Sequence, residues 1–489
     1  MKRNLHFAVL GLLLILSSNI FGSGKDSYQK GWDEFFKNNR TEARKHFSEA
    51  TNDSETKADA YLSLSLLDWS ESKIEDAFEK LTQFYQSSSD PSPYLYSAYS
   101  LPYAFASNDV LENKKVEFLE SIVDTPINGT LKTMIYESLG KHYMGCKDFT
   151  KAKELFAKTG ALLNWQVLGD FNNISGSGFD KDWGAVAKAR TQDNFENKAG
   201  ATTNWYTPSA NKPEGWFAFD YYYPLSSIIA YAQTFVNAPA AQDAYIRVGT
   251  SGSLKIWIND AQVASIIDER NCDLDIYSYK IKLNKGANRI LLQLGQSEIN
   301  ALNFMLRITD ANGAPIQELT HDAKYTKYTK STDKSSNNIL PFFAEEFLQE
   351  RIKQDPNNPL NSLILAETYL RNDKSEEAIL LLRNVLQGAP NSSFVHYRLG
   401  EAYNRASNPT FYTKEMENIK RTDPDSFYAL DQLCGEAIKS DKITEVKNLN
   451  QKIKNLYGES INTRFLDSWL ANKQGNNEES IAIAKANYE

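Results

Sequence analysis

The chain is 489 residues long, 41% hydrophobic and 24% charged, which supplies two to four domains with real cores and excludes a globally disordered protein. Its formal net charge of −8 sets it against phosphate backbones and anionic lipid surfaces, so no nucleic-acid partner is expected. The nearest thing to a basic stripe, Lys324, Lys327 and Lys330 with Tyr325 and Tyr328, reads as a solvated linker.

At the N-terminus, Lys2 and Arg3 precede an apolar run from Phe7 to Leu16 that is too short to span a bilayer. That pattern predicts a secretory signal peptide over residues 1–24, with Gly22 and Gly24 as small residues suited to cleavage. No cysteine stands there to carry a lipid anchor, and no later stretch is apolar enough for a transmembrane helix. The expected location is exported, either periplasmic or extracellular.

Residues 25–162 carry a helical grammar. Gly31, Ala43, Phe47 and Ala50 are followed 34 residues later by Ser65, Ala77, Leu81 and Phe84, and a later unit has Gly140, Tyr143, Ala152 and Phe156. Residues 88–130 break the register with Pro91, Pro93 and Pro102, so irregular helices are expected there.

From residue 163 to 319 the helical period gives way to alternation. Leu254, Ile256 and Ile258 alternate with Lys255, Trp257 and Asn259, and Tyr277, Tyr279, Ile281 and Leu283 alternate with Ser278, Lys280 and Lys282. Ile290, Leu292 and Leu294 follow, then Phe304, Leu306 and Ile308. Short strands that each hide one face, separated by Gly, Asn and Asp turns, predict an antiparallel, jelly-roll-like β-sandwich. Residues 320–338 read as a linker.

Residues 339–489 return to the helical pattern. Ala366, Gly400, Cys434 and Ser468 stand at steps of 34, as do Pro356, Pro390 and Pro424. Two antiparallel helices approach closely only where side chains are small, and proline ends one unit and opens the next. Tyr412 and Val446 are larger than the position 12 residues after the small one ordinarily takes. The expected fold class is therefore α plus β and multidomain, with two helical repeat arrays flanking an antiparallel sandwich.

Candidate chemistry is thin. Cys146, Cys272 and Cys434 lie far apart and form no Cys-x-x-Cys pair, so no metal site is expected and the thiols read as small structural residues. His142 and Cys146 fall four apart on one helix without an orienting third group and read as structural. Gly176-Ser177-Gly178 has no following helix to receive a phosphate, and there is no Walker motif, nucleophile elbow or His-Glu-x-x-His helix. No catalytic residue, cofactor or enzymatic activity is expected. Sugar recognition needs exposed aromatic platforms beside polar groups, for which Trp183, Trp205, Trp216 and Tyr222 are the candidates, with Asn204 and Asp220 nearby.

The 34-residue units resemble tetratricopeptide repeats, which implies stacked hairpins with a concave face that binds protein or peptide ligands. Leu254 to Asn259, then Gly286-Ala287-Asn288 leading into Ile290 to Leu294, looks like a galactose-binding-like sandwich. Trp165-Gln-Val-Leu-Gly169-Asp170-Phe171-Asn172-Asn173, followed by Gly176-Ser-Gly178-Phe179-Asp180, resembles a segment of large exported proteins of Bacteroidota, with Asp170 in place of a proline. In that family such repeats and a sandwich precede a transglutaminase-like cysteine core. The resemblance implies either a free-standing scaffold that binds protein or glycan, or the docking region of a larger enzyme whose core lies beyond residue 489. It carries no catalytic residue onto Cys146, Cys272 or Cys434.

Overall fold

The computed structural model describes residues 24–102, 104–105, 111–209, 212–331 and 339–486. Of the expected signal peptide, residues 1–23 lie outside the described residues. The protein combines α-helices with an antiparallel sheet and gathers into two compact units. The first takes Met1–Phe118, Phe347–Leu370 and Ser375–Glu489, and the second takes Leu119–Glu346 and Arg371–Lys374.

The chain runs through α1 (24–36), α2 (Arg40–Ala50), α3 (Lys57–Ser70), α4 (Ile74–Ser87), the short α5 (Ser92–Ala98) and α6 (Glu112–Ile122). Pro93 stands in the first turn of α5, where a missing N–H costs nothing. The second unit opens with α7 (Gly129–Gly145) and α8 (Phe149–Lys158), a helical hairpin. Asn128 caps α7 by accepting from the Thr130 N–H, and Asp148 caps α8 by accepting from the Lys151 N–H, at 2.9 and 3.0 Å.

The strands follow as β1 (Gln166–Asn172), β2 (Phe195–Glu196), β3 (Thr202–Thr203), β4 (Phe217–Ala218), β5 (Ile228–Ala238), β6 (Gln242–Ile258), β7 (Ala261–Asn271), β8 (Tyr277–Leu283), β9 (Gly286–Gln296), β10 (Asn303–Thr309) and β11 (Thr320–Asp322). Nine of them form one antiparallel sheet in the order β1-β5-β9-β6-β10-β4, with β7 and β8 also on β6 and β11 on β5. β6 is 17 residues long and changes partners midway: residues 242–248 pair with β8, while Ser251 to Ile258 pair with β7. The change falls at Gly249 and Gly252. A Cβ on Gly249 would run into the Leu274 backbone, and Gly252 has φ +125°, so the curl of the sheet depends on two residues without side chains.

On β8 the alternation holds from Tyr279 onward, with Tyr279, Ile281 and Leu283 buried and Lys280 and Lys282 exposed, while Ser278, expected to face outward, is buried beside Tyr277. On the second half of β6 it is not: Lys255, Trp257 and Asn259 are buried along with Leu254, Ile256 and Ile258. One apolar cluster includes Ile246, Ile256, Leu292 and Phe304; a smaller one contains Leu168, Phe171, Trp205, Trp257 and Leu291, so both faces of this stretch are covered. The Lys255 ammonium is satisfied there by the Phe179 carbonyl and Asp180, at 2.9 and 2.6 Å.

Two arginines are fully buried in this unit. Arg289 donates to Gln233, Asp260 and the carbonyls of Ala185 and Val186. Arg307 donates through Nε and Nη2, one edge of its guanidinium, to Asp275 and through Nη1 to the Thr159 and Gly313 carbonyls, at 3.0 and 3.3 Å.

The stretch expected as a solvated linker is docked as far as residue 331. Thr320–Asp322 pairs with β5, Tyr325 meets Phe235 edge-on, the Tyr328 hydroxyl donates to Asp260, and the Lys330 ammonium lies 2.9 Å from the same carboxylate. The apolar bodies of the two tyrosines cover the sheet while their neighbouring lysines stay exposed, which a charge count alone cannot reveal. The remainder, residues 332–338, lies outside the described residues.

β11 also carries a pH-sensitive contact. The Leu163 N–H donates to His321 Nε2 at 3.0 Å, which requires the neutral ring, and burial holds the imidazole below the usual histidine range. The unfolded chain therefore takes up the proton first as pH falls from about 6.5, so the stability contributed by this contact is full above that pH and is lost below it. Glutamine at 321 can still accept from Leu163 but does not titrate. The stability gap between His321→Gln and wild type is expected to widen in favour of the variant from pH 7.5 to 5.5, as read from urea midpoints; a constant gap would mean that the ring is not held neutral.

The chain then continues through α9 (Phe343–Gln354), α10 (Pro359–Arg371), α11 (Ser375–Gly388), α12 (Ser393–Arg405), α13 (Pro409–Thr422), α14 (Phe427–Lys439), α15 (Ile443–Tyr457), α16 (Ile461–Lys473) and α17 (Asn477–Ala486). Ser392, Asn408 and Ser426 accept from backbone N–H groups in the first turns of α12, α13 and α14, and Ser460 makes a reciprocal capping box with Thr463. The small residues sit where neighbouring helices cross. A Cβ on Gly31 would overlap the Phe47 ring, one on Gly140 the Phe156 ring, and one on Gly400 the end of Met416. Ser65 Oγ donates to the Ala77 carbonyl at 2.6 Å, and Ser468 Oγ to that of Ser480 at 3.0 Å.

Candidate functional site

The four aromatic candidates fall into two groups. Trp183 and Trp205 pack with the smaller apolar cluster; Tyr222 packs against the larger one, and Trp216 lies beside α7. Trp205 is fully buried and its indole N–H donates to the Lys188 carbonyl at 2.9 Å, so its ring is an interior element that no sugar reaches. Trp183 is half-buried, stacked on Phe171 at 4.9 Å with the Lys181 ammonium 4.0 Å from its centroid. Trp216 donates to Glu137, a carboxyl that burial raises above the usual range and that Lys141 partly holds down. Tyr222 stacks on Phe217 at 5.5 Å. Asn204 spends its amide on Asp193 and Asn194, and Asp220 is exposed.

The Cys146 thiol is exposed, 3.7 Å from His142 Nε2. The other two cysteines are buried, and burial pushes the Cys272 thiol up to about 11 and Cys434 up to about 12, which makes them poor nucleophiles. Among the described residues no group of three or more His, Cys, Asp and Glu side chains is placed to hold a metal, and no helix is long and apolar enough to cross a membrane.

The first unit holds the more telling surface. In its hairpins the second helices, such as α4, α11 and α13, bury a single stripe. The first helices are different. α3 is buried from Leu62 to Ser70 without a break, and α10 and α12 are buried on nearly every face. A helix enclosed on all sides needs neighbours on all sides. For these helices the N-terminal and C-terminal stretches supply one another.

The contacts mix apolar anchors with side-chain hydrogen bonds. Phe394 on α12 meets Phe35 of α1 at 5.3 Å and Trp69 of α3 at 5.9 Å, and Arg398 lies over Trp69 while pairing bidentately with Glu367. The Tyr28 hydroxyl donates to Asn358 and that of Tyr94 to Asn361, at 3.1 and 2.8 Å; Ser97 and Thr368 are hydrogen-bonded at 2.6 Å. At one end Arg40 pairs with Asp423, while Asn38 accepts from Ser393. Burial raises the Asp59 carboxyl, with Arg351 and the Asn358 amide holding it partly down.

The enclosure fades towards the C-terminus. On α16 only Thr463, Leu466, Leu470 and Ala471 are buried, and Phe465 is 59% exposed. Here an open cleft of about 690 Å³ runs between the α3–α4 turn and the start of α16, lined by Glu71, Asp76, Tyr457, Ile461 and Arg464. A second cleft, about 630 Å³, lies by Lys37, Asn391 and Arg421.

Sequence reasoning singled out none of Phe394, Arg398, Glu367 or Phe465. The available signal was a set of polar and charged residues, Asn361, Glu367 and Arg398, interspersed among the apolar residues of α10 and α12. The chain matches no protein-family model and no curated protein.

Proposed function

We propose that this protein is an exported, non-catalytic scaffold whose helical stretches are tetratricopeptide repeats that engage a protein partner. The observation that carries the reading is the set of small residues at helix crossings, with Gly31 and Ser65, and Ala366, Gly400, Cys434 and Ser468, at steps of 34; side chains at Gly31, Gly140 and Gly400 would overlap Phe47, Phe156 and Met416. The inner face left uncovered on α16, with exposed Phe465 beside the acidic-rimmed cleft, is the surface where a partner docks. In the same reading the curled sheet is a galactose-binding-like, jelly-roll sandwich, and any glycan contact falls to Trp183, Trp216 and Tyr222.

A second reading, the docking region of a longer transglutaminase-like enzyme, draws on the Trp165 to Asp180 segment. Its residues are used structurally: Trp165 packs on Phe304, and Phe179 and Asp180 are held by Lys255 and Gln293. A photo-crosslinking residue in place of Phe465, in the native cell, is expected to trap a discrete partner that the same residue in place of the exposed Leu380 on α11 does not. Equal trapping at both positions, or none at 465, would sink the scaffold reading at this face; trapping a catalytic core carried on the same chain would favour the second.

A further inference from the structure

We infer that the inner face of α10 and α12 is a receptor for a helical ligand, and that the protein's own N-terminal helices are that ligand, held as a clasp that opens without global unfolding. The inference rests on the scaffold reading only in taking the inner face as the binding face.

Three observations carry it. First, what fills the face is helical, and it is held through side chains. Tyr28 and Tyr94 donate to Asn358 and Asn361, Ser97 pairs with Thr368, and Phe394 takes Phe35 and Trp69. A helix satisfies its own main chain, so a surface that offers side-chain acceptors and aromatic pockets suits it better than an extended peptide.

Second, the contact is incompletely satisfied. Arg40 Nε and the Tyr428 hydroxyl are buried without a hydrogen-bond partner among the described residues, both on side chains in or beside this contact. Water satisfies such groups on opening, which lowers the cost of separating the two stretches relative to unfolding either one. Third, the contact is closed at both ends by ion pairs, Arg40–Asp423 at one and Asp59 with Arg351 at the other, whose charges water can solvate on opening. Closed, the clasp denies α10 and α12 to an outside partner. A competing amphipathic helix with aromatic anchors gains access by taking the place of α1, α3 and α5.

The test needs no partner. A Ser97→Cys/Thr368→Cys pair, in a Cys146→Ser background that removes the exposed thiol, locks the clasp when oxidised. By hydrogen exchange with mass spectrometry, α3 and α10 in the reduced protein are expected to exchange together, by an opening less dependent on urea than global unfolding, and oxidation is expected to slow both by about tenfold or more. A fluorescent peptide spanning residues 57–87 is expected to bind the reduced protein and not the oxidised one. Asn361→Ala, which only removes the partner of Tyr94, provides an independent check: it should speed exchange in both helices. If α3 and α10 exchange only by the global route, or oxidation leaves their rates unchanged, the clasp is wrong while the scaffold reading stands. If the exchange results hold but nothing is trapped at position 465, the scaffold reading fails and the clasp survives.

Discussion

Methionine at position 307 is expected to cost the second unit about 3–5 kcal/mol, the range for breaking a buried ion pair from one side. Arg307 is fully buried and Asp275 is 2% exposed, and the carboxylate accepts from Nε and Nη2 of the guanidinium together with the Thr130 hydroxyl at 2.8 Å. Methionine fills much of the same volume but leaves the buried Asp275 carboxyl with the Thr130 hydroxyl as its donor, and orphans the Thr159 and Gly313 carbonyls that Arg307 had satisfied. The second change that isolates the cause is Asp275→Asn. Asp275 has φ +63°, a conformation asparagine tolerates, so the double variant removes the stranded charge without adding backbone strain. Urea unfolding should return part of the loss in the double variant. A single-variant loss below about 1 kcal/mol would mean that the pair is hydrated and not buried.

Truncating Phe394 to alanine should be as damaging to the first unit, about 3–5 kcal/mol, from lost burial and the cavity left behind. Phe394 is 2% exposed and stands where α12 meets both Phe35 and Trp69, so its removal loosens the N-terminal and C-terminal stretches together. The expected result is one destabilised transition for both. A double-mutant cycle with Phe35→Ala should give a coupling of about 0.5–1.5 kcal/mol, the range for an aromatic pair beyond its area. Additive losses would show that the two rings share no contact in solution.

The helix crossings were legible in the sequence because close approach is decided at single positions: Gly31, Gly140 and Gly400 announce themselves by lacking a side chain. Most of β8 was legible for a similar reason, since its Lys280 and Lys282 face solvent and keep the period of two from Tyr279 to Leu283. The second half of β6 was not, because its other face is covered by residues far away in the chain, among them Phe179 and Trp205. Trp205 illustrates the same limit. Between Asn204 and Tyr206 nothing local distinguishes an interior indole from an exposed one. The contact surface of the first unit depends on pairs such as Tyr28 with Asn358, separated by 330 positions, and no periodicity in either segment reports on the other.

That separation has a consequence for how the molecule is made. Chains are synthesised from the N-terminus, at about 5–20 residues per second. The helices up to Phe118 therefore emerge well before Phe347 and the helices that complete their unit, with the whole segment from Leu119 to Glu346 produced in between. Through that interval Phe35 and Trp69 lack Phe394, the ring both meet in the finished unit, and the apolar surface it covers is open to the wrong neighbours. The unit's non-local order leaves early α3 incompletely packed until the residues from Phe347 onward arrive.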